Sequence, residues 1–115
     1  MGDINHLTNL ILEFRDAREW KQFHHPKDVA ISLVLEASEV LEHFQWKSKE
    51  EVEAYVGSNA DAIGEELADV LYWVLLLSHD LGIDLSTTFE KKMQRNAEKY
   101  PIDKAKGSHK KYTEL

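Results

Sequence analysis

Four acidic side chains stand at positions where a charge is hard to keep. Glu36 and Glu39 lie three residues apart within AISLVLEASEVLEHF, and Glu66 and Asp69 three apart within GEELADVLYW. An i, i+3 spacing puts both members of a pair on one face of a helix. Apolar residues flank both pairs, and four buried carboxylates are very unfavourable unless something compensates their charge. A divalent cation is the simplest compensation. All-oxygen ligation selects a hard ion, Mg2+ or Mn2+ rather than zinc. A di-iron bundle would need Glu-x-x-His on two helices, and no glutamate here has a histidine three positions on.

A single E-x-x-E carries almost no information. Two such pairs about 27 residues apart, on consecutive hydrophobic segments, are far more specific. Glu42, Glu50, Glu51 and Glu53 read as solvated acids, and Glu65 as either solvated or a group behind the ligands. Trp20, Trp46 and Trp73, all the tryptophans in the chain, offer π-faces on which a nucleobase can stack. Large aromatics also dominate cores, so both readings stand for each. His24 sits in FHHP, where a loop histidine is ordinarily surface. Lys92, Asn96 and Lys99 recur at helical spacing with Tyr100 after them, which for a bare sequence is a solvated polar face.

The elements that must position these groups are helical throughout. Ile4, Leu7, Ile11 and Phe14 step by three or four and predict a first helix over about 4–20. Pro26 suits the first turn of a second helix, which runs to about Gln45. Ser48-Lys49-Glu50-Glu51 reads as a capping box opening a short third helix. Gly57-Ser58-Asn59 ends that helix and caps a fourth, which runs to about Leu81, with Gly82 as its C-terminal stop. Asp84 caps a fifth helix that reaches about Lys99, where Pro101 stops it. The last fifteen residues are a polar, lysine-rich tail, ordered only if something docks it. The expected fold is therefore an all-α bundle of about five helices in a single domain, 1–115. The second and fourth helices have little or no polar face, and a helix that is apolar all round must be buried all round. One small bundle cannot cover both, so an obligate oligomer is expected.

The bulk properties narrow the function. At 115 residues one domain is the natural prior, and 43% hydrophobic with 30% charged residues is ordinary for a globular protein. The absence of cysteine excludes a disulfide, a zinc-thiolate or an Fe–S site and fits a reducing compartment. A cytoplasmic location is the expectation, since the N-terminus has no basic patch before an apolar stretch. The longest apolar run, Val70 to Leu77, is far short of the roughly 20 residues that span a bilayer. A net charge of −7 argues against binding a nucleic-acid polymer. It also means that any phosphate substrate needs local neutralisation by a metal or a few placed cations.

E-x-x-E, a spacer and E-x-x-D resemble the signature of the MazG-like all-α NTP pyrophosphohydrolases, and the match is nearer to their dCTP pyrophosphatase branch. The segments that carry it are REWKQFHHP (18–26), LEASEVLEHFQWK (35–47), EELADVLYW (65–73), KMQRNAEKYP (92–101) and KYTEL (111–115). Residues 48–62 match poorly, and vertebrate members are longer there. The resemblance implies a tetramer, a dimer of dimers with sites at subunit interfaces. It implies Mg2+, or Mn2+, held by Glu36, Glu39, Glu66 and Asp69. It also implies attack of a metal-activated water on the α-phosphate of a deoxynucleoside triphosphate, releasing pyrophosphate. Glu36 or Glu39 is placed to take the proton of that water. Trp20, Trp46 and His24 fall to the base pocket, joined by Trp73, where the vertebrate enzymes carry tyrosine. Ile11 replaces a histidine that those enzymes have near the base, which loosens the expected selection for cytosine. Lys92, Asn96, Lys99 and Tyr100 fall to the phosphates or a metal-bound water, and Lys110, Lys111 and Tyr112 to closure over the triphosphate. The expected substrate is dCTP or a 5-substituted dCTP. Another nucleotide processed by the same fold is the alternative, followed by a non-enzymatic helical interaction module. The last ranks lowest because all four carboxylates are present.

Overall fold

Ser48 and Glu51 open the longest helix by capping each other. The Ser48 hydroxyl accepts from the Glu51 amide at 3.2 Å, and the Glu51 carboxylate accepts from the Ser48 amide at 3.1 Å. The computed structural model in which this is seen describes residues 3–115. Met1 and Gly2, part of the segment read as free of a leader, lie outside the described residues. Five α-helices are present among the described residues and no strand: α1 (Ile4–Ala17), α2 (Pro26–Glu42), α3 (Lys49–Asp80), α4 (Leu85–Lys99) and α5 (Ile102–Ala105). Asp3 caps α1 through the His6 amide, Pro26 occupies the first turn of α2, and Asp84 caps α4 through the Thr87 amide. Gly82, at φ 67°, ends α3 in the left-handed region that glycine tolerates.

Several boundaries differ from the sequence reading. The third and fourth expected helices are one element, α3, in which only Asn59 leaves helical geometry, at φ −125° and ψ 20°. The Asn59 side-chain amide donates to the Tyr55 carbonyl at 3.0 Å. That bond satisfies a backbone group beside the irregularity, so the chain kinks instead of breaking. α1 stops at Ala17 because Glu19 turns to φ 53°, and a short 3-10 turn, Lys21–Phe23, follows. α2 stops at Glu42, and the chain then tightens into i→i+3 bonds before Trp46 turns to φ 71°.

The chain divides into two compact units, Met1–Gly82 and Ile83–Leu115. In the first, α3 packs against both α1 and α2. Its buried apolar core, among the described residues, is Ile11, Val29, Leu75 and Leu76. In the second, the expected tail is partly built. After α5, a 3-10 turn at Tyr112–Glu114 brings the Tyr112 ring within 6.1 Å of Tyr100 and 4.9 Å of the Lys99 ammonium. The tail docks on the end of its own α4, which supplies the partner that the sequence reading left open.

One charge lies in the core of the first unit. Arg15 is 2% exposed and donates to Asp80 at 2.8 Å, while its Nε has no partner. Removing one member of such a pair leaves the other buried and uncompensated, which costs about 3–5 kcal/mol, whereas an apolar replacement of both is close to neutral. Asp80→Ala is therefore expected to lower unfolding free energy in urea by about 3 kcal/mol, and Arg15→Met combined with Asp80→Leu to recover most of it. Equal losses in the single and double variants would show that the ion pair has no such role.

Candidate functional site

α2 carries Glu36 and Glu39 on one face and α3 carries Glu66, and the packing of the two helices brings these three together. One carboxylate oxygen of each lies within 4.8 Å of the other two. Glu36 and Glu66 are half-buried, and each has a buried Oε2 with no hydrogen-bond partner. Asp69 does not join the trio at this range. It is close enough that its charge acts on both Glu36 and Glu66, and with Glu36 it lines the neighbouring cavity.

The electrostatics follow from this crowding. A proton shared with Glu39 raises the Glu36 carboxyl to about 7, with burial next and the charges of Glu39, Asp69 and Glu66 behind it. Glu66 is raised by the same causes, again led by the Glu39 carboxyl, and His43 opposes the shift. Among like charges with nothing between them, a carboxylate holds its proton.

A hard dication fits these residues. Oxygens around Mg2+ at about 2.1 Å are roughly 3 Å apart when adjacent and 4 Å when opposite, so a trio within 4.8 Å needs little contraction. The two orphaned oxygens are acceptors in want of a positive partner. The donor set is all oxygen, which suits Mg2+ or Mn2+.

Beside the trio lies a cavity of about 470 Å³. Phe14, Trp20, Tyr72 and Trp73 line it with aromatic rings, and Leu10 and Ile11 add apolar side chains. The rings meet edge to face: Phe14 with Trp20 at 5.6 Å, Phe14 with Tyr72 at 6.3 Å, Tyr72 with Trp73 at 4.8 Å. Such packing fixes the ring planes.

The expected site residues therefore part company. Trp20 and Trp73 stand in the cavity with Glu36 and Asp69. His24 meets Trp73 edge-on at 5.6 Å but lines a different cavity, of about 300 Å³, with Lys21, His79 and Asp80. Burial lowers its pKa, with Arg15 acting the same way and Asp80 opposing. Trp46 lies outside the cavity and is 91% exposed. Lys92, Asn96, Lys99, Tyr100, Lys111 and Tyr112 belong to the second unit. Sequence reasoning missed Leu10, Phe14 and Tyr72. The signal for Tyr72 was present, because it follows Asp69 by three and so continues the face that carries the acids.

Fold and site together define an all-helical protein that gathers acidic side chains able to hold a hard cation next to a cavity lined by aromatic rings. Residues 31–115 match the profile of the MazG-like family, and the chain belongs to that family. It is 38% identical to dCTP pyrophosphatase 1 of Rattus norvegicus and 37% identical to dCTP pyrophosphatase 1 of Homo sapiens, in both cases over 95% of this chain. It spans 65% of the length of either relative. Its fold is similar to the crystal structure of a pyrophosphatase from Archaeoglobus fulgidus DSM 4304, with a TM-score of 0.81 at 35% identity, covering 88% of this chain and 94% of that one.

The raised acids carry a prediction for the metal-free protein. A carboxyl lifted from 4.5 to about 7 binds its proton more tightly folded than unfolded. Its contribution to stability is complete below the unfolded value and is lost as pH rises through the folded one. Melting in EDTA is therefore expected to weaken between about pH 5 and pH 8 more steeply for the parent than for Glu36→Gln. Mg2+ is expected to restore the parent at the higher pH and to do little for the variant. Identical pH slopes in the two proteins would contradict the crowding described.

Proposed function

We propose that this protein is a Mg2+-dependent nucleoside triphosphate pyrophosphohydrolase that converts a deoxynucleoside triphosphate, in first place dCTP or a 5-substituted dCTP, to the monophosphate and pyrophosphate. The observation that carries the reading is the trio of Glu36, Glu39 and Glu66, with two orphaned oxygens, beside a cavity walled by aromatic rings. Likeness to two dCTP pyrophosphatases supports the substrate class. Glu36, Glu39, Glu66 and Asp69 would hold the cation, which would offset phosphate charge and acidify water. Glu36 or Glu39 takes the proton from the attacking water. The rings of Trp20 and Trp73 flank the base. Its sugar leads the phosphates towards Glu36 and Asp69, which line the same cavity.

Residues 1–115 act as one catalytic domain in this reading. Phosphate contact by Lys92, Asn96, Lys99, Tyr100, Lys111 and Tyr112 belongs to the same proposal and rests on the family resemblance, as does base contact by His24. No helix among the described residues is long and apolar enough to cross a membrane, and a cytoplasmic place of action is part of the proposal.

The assembly proposed is a dimer of dimers. Ile31, Val34, Leu35 and Leu41 on α2 and Leu67 and Leu71 on α3 are exposed, and an apolar groove of about 300 Å³ runs along Ile31, Val34 and Leu35. Exposed contiguous apolar surface of this kind marks a protein interface. Trp46 adds to it, since a bulky residue at φ 71° costs about 1–3 kcal/mol that its surroundings must offset, and no described residue covers its ring, which is 91% exposed. A second copy bringing Trp46 to the base would supply both the cover and the missing stacking face.

Two measurements test these statements. Chromatographic resolution of products is expected to show dCTP giving dCMP and pyrophosphate with Mg2+ and nothing with EDTA. Glu39→Gln is expected to lose about 100-fold or more in turnover with its helical circular dichroism intact. Full turnover in that variant would sink the assignment. Light scattering at micromolar concentration is expected to give a tetramer, or at least a dimer, and a stable monomer would reject the assembly.

A further inference from the structure

Stacking tolerates any base, because every base has a π-face. The aromatic walls of the cavity therefore cannot choose between bases, and its polar atoms must. Glu36 and Asp69 are the acids there, and the reading above engages them with the cation. The indole groups of Trp20 and Trp73 can only donate. Tyr72 brings a hydroxyl, which both donates and accepts.

The state of that hydroxyl separates it from an ordinary structural tyrosine. α3 carries two tyrosines. The Tyr55 hydroxyl is taken up by His43 Nδ1 at 2.6 Å, whereas the Tyr72 hydroxyl bonds to no described residue. It is not sealed off either, for it is absent from the buried unpartnered atoms of the structure, which belong to Arg15, His24, Glu36 and Glu66. The ring, by contrast, packs edge-on against both Phe14 and Trp73. Burial raises the phenol pKa, with Arg15 and Arg18 opposing, so the group keeps its proton and remains a donor near neutral pH. A ring packed within its own aromatic cluster, on a residue that lines the cavity and whose hydroxyl bonds to no described residue, leaves that hydroxyl available to a ligand at little cost in ordering.

We propose that Tyr72 is the specificity-determining residue of this site, reading the edge of the stacked base through its hydroxyl. The inference rests on the nucleotide reading above and adds to it the atom that discriminates. A base whose edge meets the hydroxyl gains a hydrogen bond. One that does not leaves a desolvated polar group unpaired, and this penalty gives polar contacts their selectivity.

Tyr72→Phe is a clean probe, because it removes an oxygen that has no partner in the fold and leaves the ring packing in place. The experiment compares kcat/KM for dCTP, dTTP, dUTP and dATP in the parent and in Tyr72→Phe. In parallel, it measures Kd for the four monophosphates by quenching of tryptophan fluorescence. The preferred nucleotide is expected to lose about tenfold, and the least preferred to change little, so the ratio between them collapses. The Mg2+ half-saturation is expected to stay the same. An unchanged ratio, an equal loss on all four bases, or a parent without base preference would each overturn the role of Tyr72. A parent that hydrolyses no nucleotide would overturn the pyrophosphohydrolase reading instead. The monophosphate Kd ratios then decide Tyr72 alone, and equal ratios in parent and variant would reject it.

Discussion

The repulsion among carboxylates on facing helices is the constraint around which the first unit is organised. α2 and α3 must pack closely to bury Val29, Leu75 and Leu76, and their packing forces Glu36, Glu39 and Glu66 into one place. Without a counter-charge the cluster holds protons, as the upward shift of Glu36 to about 7 shows. With one, the same crowding becomes binding energy for a cation. Stability and ligand binding are thus two states of one electrostatic problem.

Arg15 and Asp80 show the other solution to the same difficulty. There a buried charge has an opposite charge as its partner at 2.8 Å within the chain. The contrast explains why the crowded acids read as a site and the Arg15–Asp80 pair as structure. Charge separates them: like charges with two unpartnered acceptor oxygens in one, a cation paired with an anion in the other.

Much of this was legible in the residues. The capping box at Ser48, Pro26 at a helix start, Gly82 at a helix end and the i, i+3 acids depend only on local backbone chemistry, and each stands where its type dictates. What was not legible depends on interactions across the chain. The kink at Asn59 survives because a side-chain amide repairs the helix, which spacing does not reveal. The turn residues Gly57-Ser58-Asn59 suggested a break for that reason. Asp69 matched the motif as well as Glu66 did, yet it sits just outside the trio, since helix spacing fixes a face but not the reach of a shorter side chain. Tyr72 escaped notice because an aromatic on an apolar helix reads as core, although its place three residues after Asp69 continues the face that carries the acids. Trp46 read as a wall of the base pocket, and in the fold its ring is exposed and lines no part of the cavity beside the acids.

The central claim is that Glu36, Glu39 and Glu66 form one cation site. Anomalous diffraction from crystals grown with Mn2+ tests it most directly. The account predicts a manganese peak within about 2.2 Å of a carboxylate oxygen from each of the three, with Asp69 drawn in as a ligand or close behind. A peak elsewhere with the trio still protonated, or no peak at saturating Mn2+, would contradict it.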